Sequence, residues 1–333
     1  GEGKYIENNS NIELQKLIGW VQGNATITLK ENATVSGDVF GGGNLGATGN
    51  GALTSDSIPY SITKAANIAV TIEKATINGS VFGGGAGLAT ASGQHPRILG
   101  ACFGTSTVKV HEATIGADVF GGGDQSYSYA PLNQSGQPQQ ATKVIINGGN
   151  SIYVNALDGS VAFAAGSGIE AIDVVSSSAD ANTPRTINLG GSVFGGGNIA
   201  DAYTVSANNI TVFGNTALYV KGQNTNFTNT VKGGVYGDGN LSRASGKRFV
   251  TLIDLRNTSA NNDMSRKSFF SLQRADRAIV NNCNIFLKGA KDLVNESDTT
   301  RYSLNRIGNL MVYRNSTLQF DTVVNGLGNL WSD

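Results

Sequence analysis

Two aspartates at matching places in a repeated sequence are the carboxylates best spaced for acid–base chemistry. Asp38 and Asp118 each directly precede a Val-Phe-Gly-Gly-Gly string. Enzymes that hydrolyse polysaccharides hold two carboxyl groups about 5 to 9.5 Å apart, one on each side of the scissile bond. Ser80 occupies the matching position between them, and Ser192 and Gly234 occupy the later ones. The pattern therefore favours two solvated acids on one face over a catalytic pair, and we assign no catalytic residue.

The histidines and cysteines are too few and too scattered for a metal centre. Zinc sites need clustered His and Cys ligands, whereas this chain has only His95, His111, Cys102 and Cys283. We expect both histidines at the surface. Two cysteines in apolar, strand-like contexts predict buried free thiols, with a disulfide bridge as the alternative. We expect neither a metal nor a cofactor, and the glycine-rich strings lack the Gly-Lys-Ser/Thr of a phosphate-binding loop.

Four tyrosines in variable segments are the candidate binding residues. They are Tyr60, Tyr127, Tyr129 and Tyr203. An exposed tyrosine can stack on a sugar or anchor a protein interface, because its ring is apolar and its hydroxyl is polar. The alternative is that these side chains pack back onto the strands.

The charges of the 333-residue chain balance, with 24 Lys+Arg against 24 Asp+Glu. The basic residues Arg266, Lys267, Arg274 and Arg277 could meet an acidic partner, but interspersed acids favour a solvated face. A nucleic-acid partner is not expected, because the chain has neither net positive charge nor a basic stripe. The sequence has no run of 18 apolar residues, so it predicts no membrane span.

The repeated string sets the predicted architecture. Val-Phe-Gly-Gly-Gly begins at Val39, Val81, Val119 and Val193, and a variant, Val-Tyr-Gly-Asp-Gly, begins at Val235. The steps are 42, 38, 74 and 42 residues. A worn copy, Ala-Phe-Ala-Ala-Gly at 162–166, would divide the long step and give six units. Self-similarity at a period of about 40 residues is typical of a chain that stacks one structural unit on the next.

Each unit predicts three short strands. An apolar residue precedes each string by four positions, and an alternating run lies upstream, as in Ile27-Thr28-Leu29 and 68–72. Alternation at period two with turn residues between the runs indicates strands. The apolar residues are Val35, Ile77, Ile115, Leu189 and Val231. We therefore predict an all-β fold, a right-handed parallel β-helix of about 40 residues per unit with long variable loops.

The aromatic residue of each string forms a second predicted column. Its members are Phe40, Phe82, Phe120, Phe163, Phe194 and Tyr236. They could stack inside the helix or cover a corner, and the interior is favoured because exposed aromatics on a rod would promote aggregation. The glycines suit corners, where a positive φ or the lack of a Cβ is needed.

A polar residue follows the third glycine of most strings. These positions hold Asn44, Ala86, Asp124, Ser167, Asn198 and Asn240. Asn and Asp tolerate turn conformations and bond nearby backbone, so a polar ladder at a turn is predicted. A calcium or glycan role for Asp124 or Asp238 is the alternative to turn chemistry.

Composition changes near residue 240. Only five of the 45 glycines lie beyond it, and the net charge is −5 before it and +5 after it. A second repeat follows, in which 271–287 matches 303–320 at an offset of 32 that becomes 33. We therefore predict an N-terminal cap or linker at 1–23, a glycine-rich β-helix at 24–240 and further coils of the same helix at 241–333.

Units of the form Ala-Thr-Val-x-Gly-x-Val-Phe-Gly-Gly-Gly-Asn, followed by Ser-Leu-x-Arg segments such as the one beginning at Ser303, resemble regions of very large cell-surface proteins of gut Firmicutes and related anaerobes. The resemblance covers roughly residues 24–330. It implies a β-helical module of a secreted, wall-attached, adhesin-like bacterial protein, although no wall-sorting signal is present here. The abrupt first and last residues predict a fragment of a longer chain.

The expected function is non-enzymatic. The chain would act as an adhesin or ligand-presenting stalk outside the cell, with loops that face a host or microbial surface ligand, a glycan among the candidates. One alternative is a carbohydrate-active β-helix enzyme, a polysaccharide lyase or hydrolase. The other is a purely structural spacer.

Overall fold

The computed structural model describes residues 18–53, 60–88, 97–149, 151–157, 160–162, 164–174, 186–198, 210–222, 225–227, 234–240, 242–255, 270–287, 307–320 and 327–332. Within these ranges the chain forms strands and no α-helix, which confirms the predicted all-β class. Most strand pairs are parallel.

The largest sheet has twelve strands and is called the large sheet. Nine of them follow one another as neighbours, and three short ones branch from β9. The nine are β1 (Ala25–Leu29), β6 (Ala66–Ile72), β9 (Cys102–His111), β13 (Gln140–Asn147), β20 (Asn215–Lys221), β24 (Arg248–Ile253), β26 (Ala275–Asn281), β28 (Ile307–Tyr313) and β30 (Leu327–Ser332). The branch consists of β12 (Ser128–Tyr129), β19 (Ile210–Phe213) and β23 (Arg243–Ala244).

Two further parallel sheets have five and eight strands. The five-stranded sheet contains β2 (Thr34–Val35), β7 (Ala75–Ile77), β10 (Ala113–Ile115), β17 (Ile187–Leu189) and β21 (Thr225–Phe227). The eight-stranded sheet contains β3 (Val39–Phe40), β8 (Val81–Phe82), β11 (Val119–Phe120), β18 (Val193–Phe194), β22 (Gly234–Tyr236), β25 (Phe270–Gln273), β27 (Asn284–Leu287) and β29 (Thr317–Phe320). The chain visits the large, five-stranded and eight-stranded sheets in that order, as β6–β8 and then β9–β11 show.

Two antiparallel sheets lie outside this order. One is a hairpin of β4 (Asn50–Leu53) and β5 (Tyr60–Lys64). The other, which we call the insertion, has β14 (Ile152–Asn155) between β15 (Val161–Ala162) and β16 (Ile169–Asp173).

The repeated strings pair with one another in register, as their spacing predicts. Val81 pairs with both Val39 and Val119, and Val193 pairs with both Val119 and Val235. The apolar residues four positions upstream pair likewise from Val35 to Leu189. The next partner of Leu189 is Phe227 rather than the predicted Val231, because the segment before the fifth string is longer. Val231 itself lies outside the described residues.

The prediction of six units is wrong. Val119 pairs directly with Val193, so no unit lies between them. The segment assigned to a worn copy belongs to the insertion instead, where Ala162 pairs antiparallel with Tyr153. Phe163 lies outside the described residues. The long step is therefore one ordinary step that carries an inserted antiparallel sheet.

The main core runs along all three parallel sheets. Val39, Val81, Val119, Val193 and Val235 share it with the inward residues of the neighbouring strands. Those residues include Val70, Val108, Val144, Leu218, Val250, Ile77, Ile115 and Leu189, each at most 1 % exposed. Burial of this continuous apolar column is the main driving force for the stack, at about 25 cal/mol per Å² of apolar surface.

The aromatic residues of the strings form a cluster of their own. The rings of Phe40, Phe82, Phe120, Phe194 and Tyr236 stack with centroids 4.7 to 4.8 Å apart. Successive side chains of a strand point to opposite faces, so the rings point away from the valine core. The favoured prediction, that they fill the same interior, is therefore wrong, although Phe82, Phe120, Phe194 and Tyr236 are buried.

The glycines of the strings are needed for close backbone contact. A Cβ on Gly121 would collide with the carbonyl oxygen of Gly195 on the neighbouring strand, and a Cβ on Gly83 would collide with that of Gly121. The glycines of the five strings do not have positive φ. Of the two predicted reasons for glycine, the missing Cβ is therefore confirmed and the positive φ is wrong.

Buried hydroxyls bind the same corner from the large sheet. Ser106, Thr142 and Thr216 are neighbours in register. Each donates a 2.5 Å hydrogen bond to the carbonyl oxygen of the first glycine of a string. The acceptors are Gly121, Gly195 and Gly237. Because buried carbonyls need partners, these bonds hold the large and eight-stranded sheets together.

The predicted polar ladder after the glycines is present. Asn44, Ala86, Asp124, Asn198 and Asn240 form successive parallel bridges. Asn198 donates to Asp124 at 2.8 Å, and Asn240 donates to Asn198 at 3.0 Å. Ser167 is not part of this ladder, because it belongs to the insertion.

The C-terminal repeat also pairs in the predicted register. Ile279 pairs with Met311, at the predicted offset of 32, and Ile285 pairs with Leu318, at 33. The described strands of the five-stranded sheet end at β21, whereas the large and eight-stranded sheets continue to β30 and β29. Among the described residues, two positions separate β26 from β27 and three separate β28 from β29, so no strand of the five-stranded sheet lies in these two connections.

Replacing Phe120 by Ala should lower the free energy of unfolding by about 3 to 5 kcal/mol, because the ring is buried between two stacked neighbours. Phe40→Ala is the control: this ring is partly buried and stacks on Phe82 at the end of the column, so its loss should cost less than half as much. Urea denaturation measures both. Equal losses would contradict the stacked arrangement.

Gly121→Ala should destabilise the protein by about 1 to 3 kcal/mol, since the added methyl group forces the backbone of a neighbouring strand to move. Gly37→Ala provides the matched control, because a Cβ there meets nothing within 4 Å. Thermal unfolding of the two variants separates a general effect of losing glycine from the collision. A Gly121 variant as stable as the Gly37 variant would argue against close contact at the corner.

Candidate functional site

The carboxylates of Asp38 and Asp118 accept hydrogen bonds from backbone amides. The Asp38 carboxylate accepts the Ser80 amide at 2.7 Å, and the Asp118 carboxylate accepts the Ser192 amide at 2.6 Å. The Ser80 hydroxyl in turn accepts the Asp118 amide at 3.3 Å. Each acid therefore caps the next strand of the eight-stranded sheet, which gives both aspartates a structural role.

Three of the candidate binding tyrosines meet in one aromatic cluster. Tyr60 and Tyr129 have ring centroids 4.9 Å apart, and Tyr127 lies 6.4 Å from Tyr129. Tyr129 is stacked between Phe103 and Phe213, its neighbours in register. Tyr203 lies outside the described residues.

The tyrosines of this cluster pack against other side chains and are not exposed on the surface. Tyr60 is 4 % exposed and Tyr129 is 2 % exposed, whereas Tyr127 is half-buried. The Tyr60 hydroxyl donates to the carbonyl oxygen of Ala130 at 2.7 Å. Burial raises the pKa of both Tyr60 and Tyr129. The prediction of exposed sugar-stacking rings is therefore wrong for these two residues, because the β4–β5 hairpin covers the stack.

The thiols and the C-terminal arginines are also structural. Cys102 and Cys283 are free and buried, as predicted, and burial raises the pKa of Cys102 to about 12. The Arg274 guanidinium lies over the Tyr236 ring at 5.4 Å, and that of Arg277 lies over Phe249 at 4.8 Å. Arg266, Lys267 and His95 lie outside the described residues.

The aspartate of the variant string is a buried ion-pair partner. Asp238 accepts the Arg248 guanidinium at 2.9 Å and the Ala244 amide at 2.6 Å. Arg248 also forms a two-pronged pair with Asp276, at 2.9 and 2.8 Å. Burial raises the pKa of Asp238, and Arg248 opposes that shift. These contacts favour a structural role for Asp238 over the calcium alternative.

The described residues contain one further charged cluster, which anchors the insertion. Asp173 on β16 is 2 % exposed at its side chain and faces the large sheet. Its carboxylate contacts His111 Nε2 at 2.8 Å and Lys109 Nζ at 3.3 Å, both from β9. Asn147 of β13 donates to the same carboxylate at 2.8 Å. We call these four residues the anchor.

The anchor holds Asp173 ionised. Burial opposes its ionisation, but hydrogen bonds from His111 and Asn147 and the charge of Lys109 outweigh that effect. The pKa of Asp173 consequently lies well below its usual range. His111 was predicted to lie at the surface, but its side chain is only 13 % exposed, because the insertion covers it.

Apolar packing reinforces the anchor. Ile152, Val154 and Ile172 of the insertion pack on Ile145 and Ile253 of the large sheet. The Lys221 ammonium group also donates to the carbonyl oxygen of Ser151 at 2.9 Å. The insertion is therefore docked through a mixed polar and apolar interface.

The other side of the insertion faces solvent. Leu157, in the turn between β14 and β15, is 94 % exposed, and Val174 is 57 % exposed. Glu170 and Ala171 of β16 are exposed as well. A docked base with an exposed turn makes the insertion the best candidate for a contact surface among the described residues.

Sequence reasoning missed the anchor for a physical reason. Lys109 and His111 show the alternation of an outward strand face, but Asp173 reaches them only through the antiparallel path of the insertion, 62 residues after His111. The one available signal was the long step from Val119 to Val193, which marks an inserted segment.

The anchor can orient an imidazole through a buried carboxylate, an arrangement that also occurs in acid–base catalysis. Within the described ranges, however, no three His, Cys, Asp or Glu side chains come close enough to hold a metal ion.

None of the described segments forms a helix with the length and apolar character to cross a bilayer. Comparisons with protein-family models, curated proteins and solved structures find no match for this chain.

Asp173→Asn should lower the free energy of unfolding by about 3 kcal/mol at pH 7, the order of removing one partner of a buried ion pair. Because folding depresses this pKa, the carboxylate stabilises the protein above pH about 4, the usual Asp value, and the contribution is lost as the pH falls below it. The gap between wild type and variant should therefore close in acid. Glu170→Gln, on the exposed side of β16, is the control and should change little. A gap independent of pH would contradict an ionised anchor.

Proposed function

We propose that this chain is a right-handed parallel β-helix that acts as a non-enzymatic, ligand-presenting module of a secreted or wall-attached bacterial surface protein. The insertion is the element that it presents to a host or microbial surface ligand, with a glycan as one candidate. The in-register pairing of three parallel sheets, visited in a fixed order, supports the β-helix. Stacked units of this kind offer a long rigid surface.

The docking of the insertion is the observation that carries the proposal. The corresponding connections between the large and five-stranded sheets are short: two residues, Glu73 and Lys74, after β6, and the single residue Glu112 after β9. After β13 the same connection runs from 148 to 186 and contains the three-stranded sheet. A spacer needs only the short turn, so a folded and anchored insertion supports a presenting role.

The positions of the charged groups support the non-enzymatic part. Asp38, Asp118 and Asp238 accept backbone or guanidinium donors, and Asp173 is held by the anchor. These contacts give each of the four carboxylates a structural role, which favours the non-enzymatic proposal over the carbohydrate-active alternative.

A deletion variant tests the proposal. Residues 149–185 are removed so that Gly148 and Thr186 form a two-residue turn like that of Glu73 and Lys74, and Ile145 is changed to Thr to keep the uncovered strand polar. Wild type and variant are applied to a glycan array and to immobilised host and microbial surface extracts, with polysaccharide digestion run in parallel.

The expected result is binding by the wild type, loss of that binding by the deletion variant, and no release of sugar by either. Release of reducing or unsaturated sugar would establish the enzyme alternative instead. Binding that survives the deletion would move the contact surface away from the insertion. If the wild type shows no binding and releases no sugar, the structural spacer is the remaining function.

A further inference from the structure

A second row of side chains lies inside the corner where β12 and its neighbours branch from the large sheet. The parallel register places Thr48, Cys102 and Ser128 side by side, and the row continues to Val212 and Ala244. The first four side chains are each 1 % exposed. We call Thr48, Cys102 and Ser128 the hydroxyl row.

The two hydroxyls of this row lack protein partners. Among the described residues, Thr48 Oγ1 and Ser128 Oγ are buried with no hydrogen bond. An unsatisfied buried hydroxyl is unfavourable by about 1 to 3 kcal/mol. The same row ends in Val212 and Ala244, which pack on Ala130 and Ala141 in an apolar cluster. Small apolar side chains therefore suit the far end of the row, and polar ones occupy only the near end.

Several other buried hydroxyls among the described residues do find carbonyl acceptors, although Thr211 Oγ1 on β19 has none either. Ser126 donates to Gly85 at 2.8 Å, and Ser242 donates to Gly197 at 2.8 Å, on the same side of the fold. Thr142 bonds its glycine in the same way. A buried hydroxyl without a protein partner indicates a bound partner outside the protein, and the row places two such hydroxyls on the strands that flank Cys102.

The chemistry of the row limits that partner. A hydroxyl both donates and accepts, and the thiol between them is neutral, since burial raises the pKa of Cys102 to about 12. No charged side chain belongs to the row, so it offers nothing to balance an ion. The row therefore suits a small neutral molecule that both donates and accepts, which describes water.

We propose that the hydroxyl row is an internal hydration site that holds two ordered water molecules, one on Thr48 and one on Ser128. Neighbouring strands lie about 4.8 Å apart, so the two hydroxyls, two strands apart, are separated by about 9.6 Å. One water bonded to both would span only about 5.6 Å, twice a hydrogen bond of about 2.8 Å. Two waters, each about 2.8 Å from its own hydroxyl, leave about 4 Å between them beside the Cys102 thiol, so each hydroxyl holds a separate water. This corner of the interior is wet, in contrast to the dry valine core.

The site is tested on the intact chain by a high-resolution crystal structure and by magnetisation transfer from long-lived water to the amide protons of Thr48 and Ser128. The expected result is two density peaks, each about 2.8 Å from one hydroxyl, with transfer to both amides. If the electron density shows no water beside Thr48 or Ser128, and neither amide proton receives magnetisation from water, the proposal is overturned.

Three variants give an independent thermodynamic measurement. Thr48→Val and Ser128→Ala each remove a water ligand, so each should lower the folding equilibrium constant about five- to tenfold. Val212→Thr, which adds a hydroxyl at the apolar end of the same row, should lower it at least as much. If the row is dry, replacing its hydroxyls removes unsatisfied groups, and an increase in the folding constant for the first two variants would refute the hydration site.

Discussion

Backbone contact at the glycine corner is the constraint on which the parallel stack depends. The neighbouring strings approach so closely that a Cβ on Gly83 or Gly121 would meet the carbonyl oxygen of the next strand. A shift of one residue would bring the ring of Phe82 or of Phe120 into that space. The corner therefore fixes the register, and the fixed register aligns the valine core, the aromatic stack and the hydroxyls that bond the glycine carbonyls.

The same constraint accounts for where the glycine-rich pattern stops. The second glycine of each string faces the third glycine of the next, as Gly196 faces Gly239. The fifth string pairs with β25, in which Gln273 faces Tyr236, and the next residue, Arg274, lies against Gly237 where the other strings have a glycine, so Asp238 can stand where the others need glycine. Arg248 then occupies the register position of Thr216 and pairs with Asp238. A hydroxyl–carbonyl bond between the two sheets is thus replaced by an ion pair between them.

The sequence allowed the repeated strands to be predicted, but it did not reveal the insertion, the burial of Tyr60 or the anchor. Spacing alone predicted the pairing of Val39 with Val81 and of Ile279 with Met311, because a repeat carries its register with it. It did not distinguish a worn copy at Phe163 from an insertion, since two small apolar segments look alike without their partners. Burial of Tyr60 was also missed, because the hairpin that covers the aromatic stack leaves no periodic signal. The anchor was missed because its four residues come from three strands that are distant in sequence.

A tightly constrained corner leaves variation to the connections, and this is where the two antiparallel elements lie. The β4–β5 hairpin follows the eight-stranded sheet, and the insertion follows the large sheet, so neither disturbs the paired strings. Each is fixed by one buried polar side chain, Tyr60 in the hairpin and Asp173 in the insertion. Residues that pin a connection to the stack are unavailable to a partner. The ligand contact that we propose would therefore use the opposite side, at exposed positions such as Leu157 and Glu170, rather than the tyrosines that the sequence singles out.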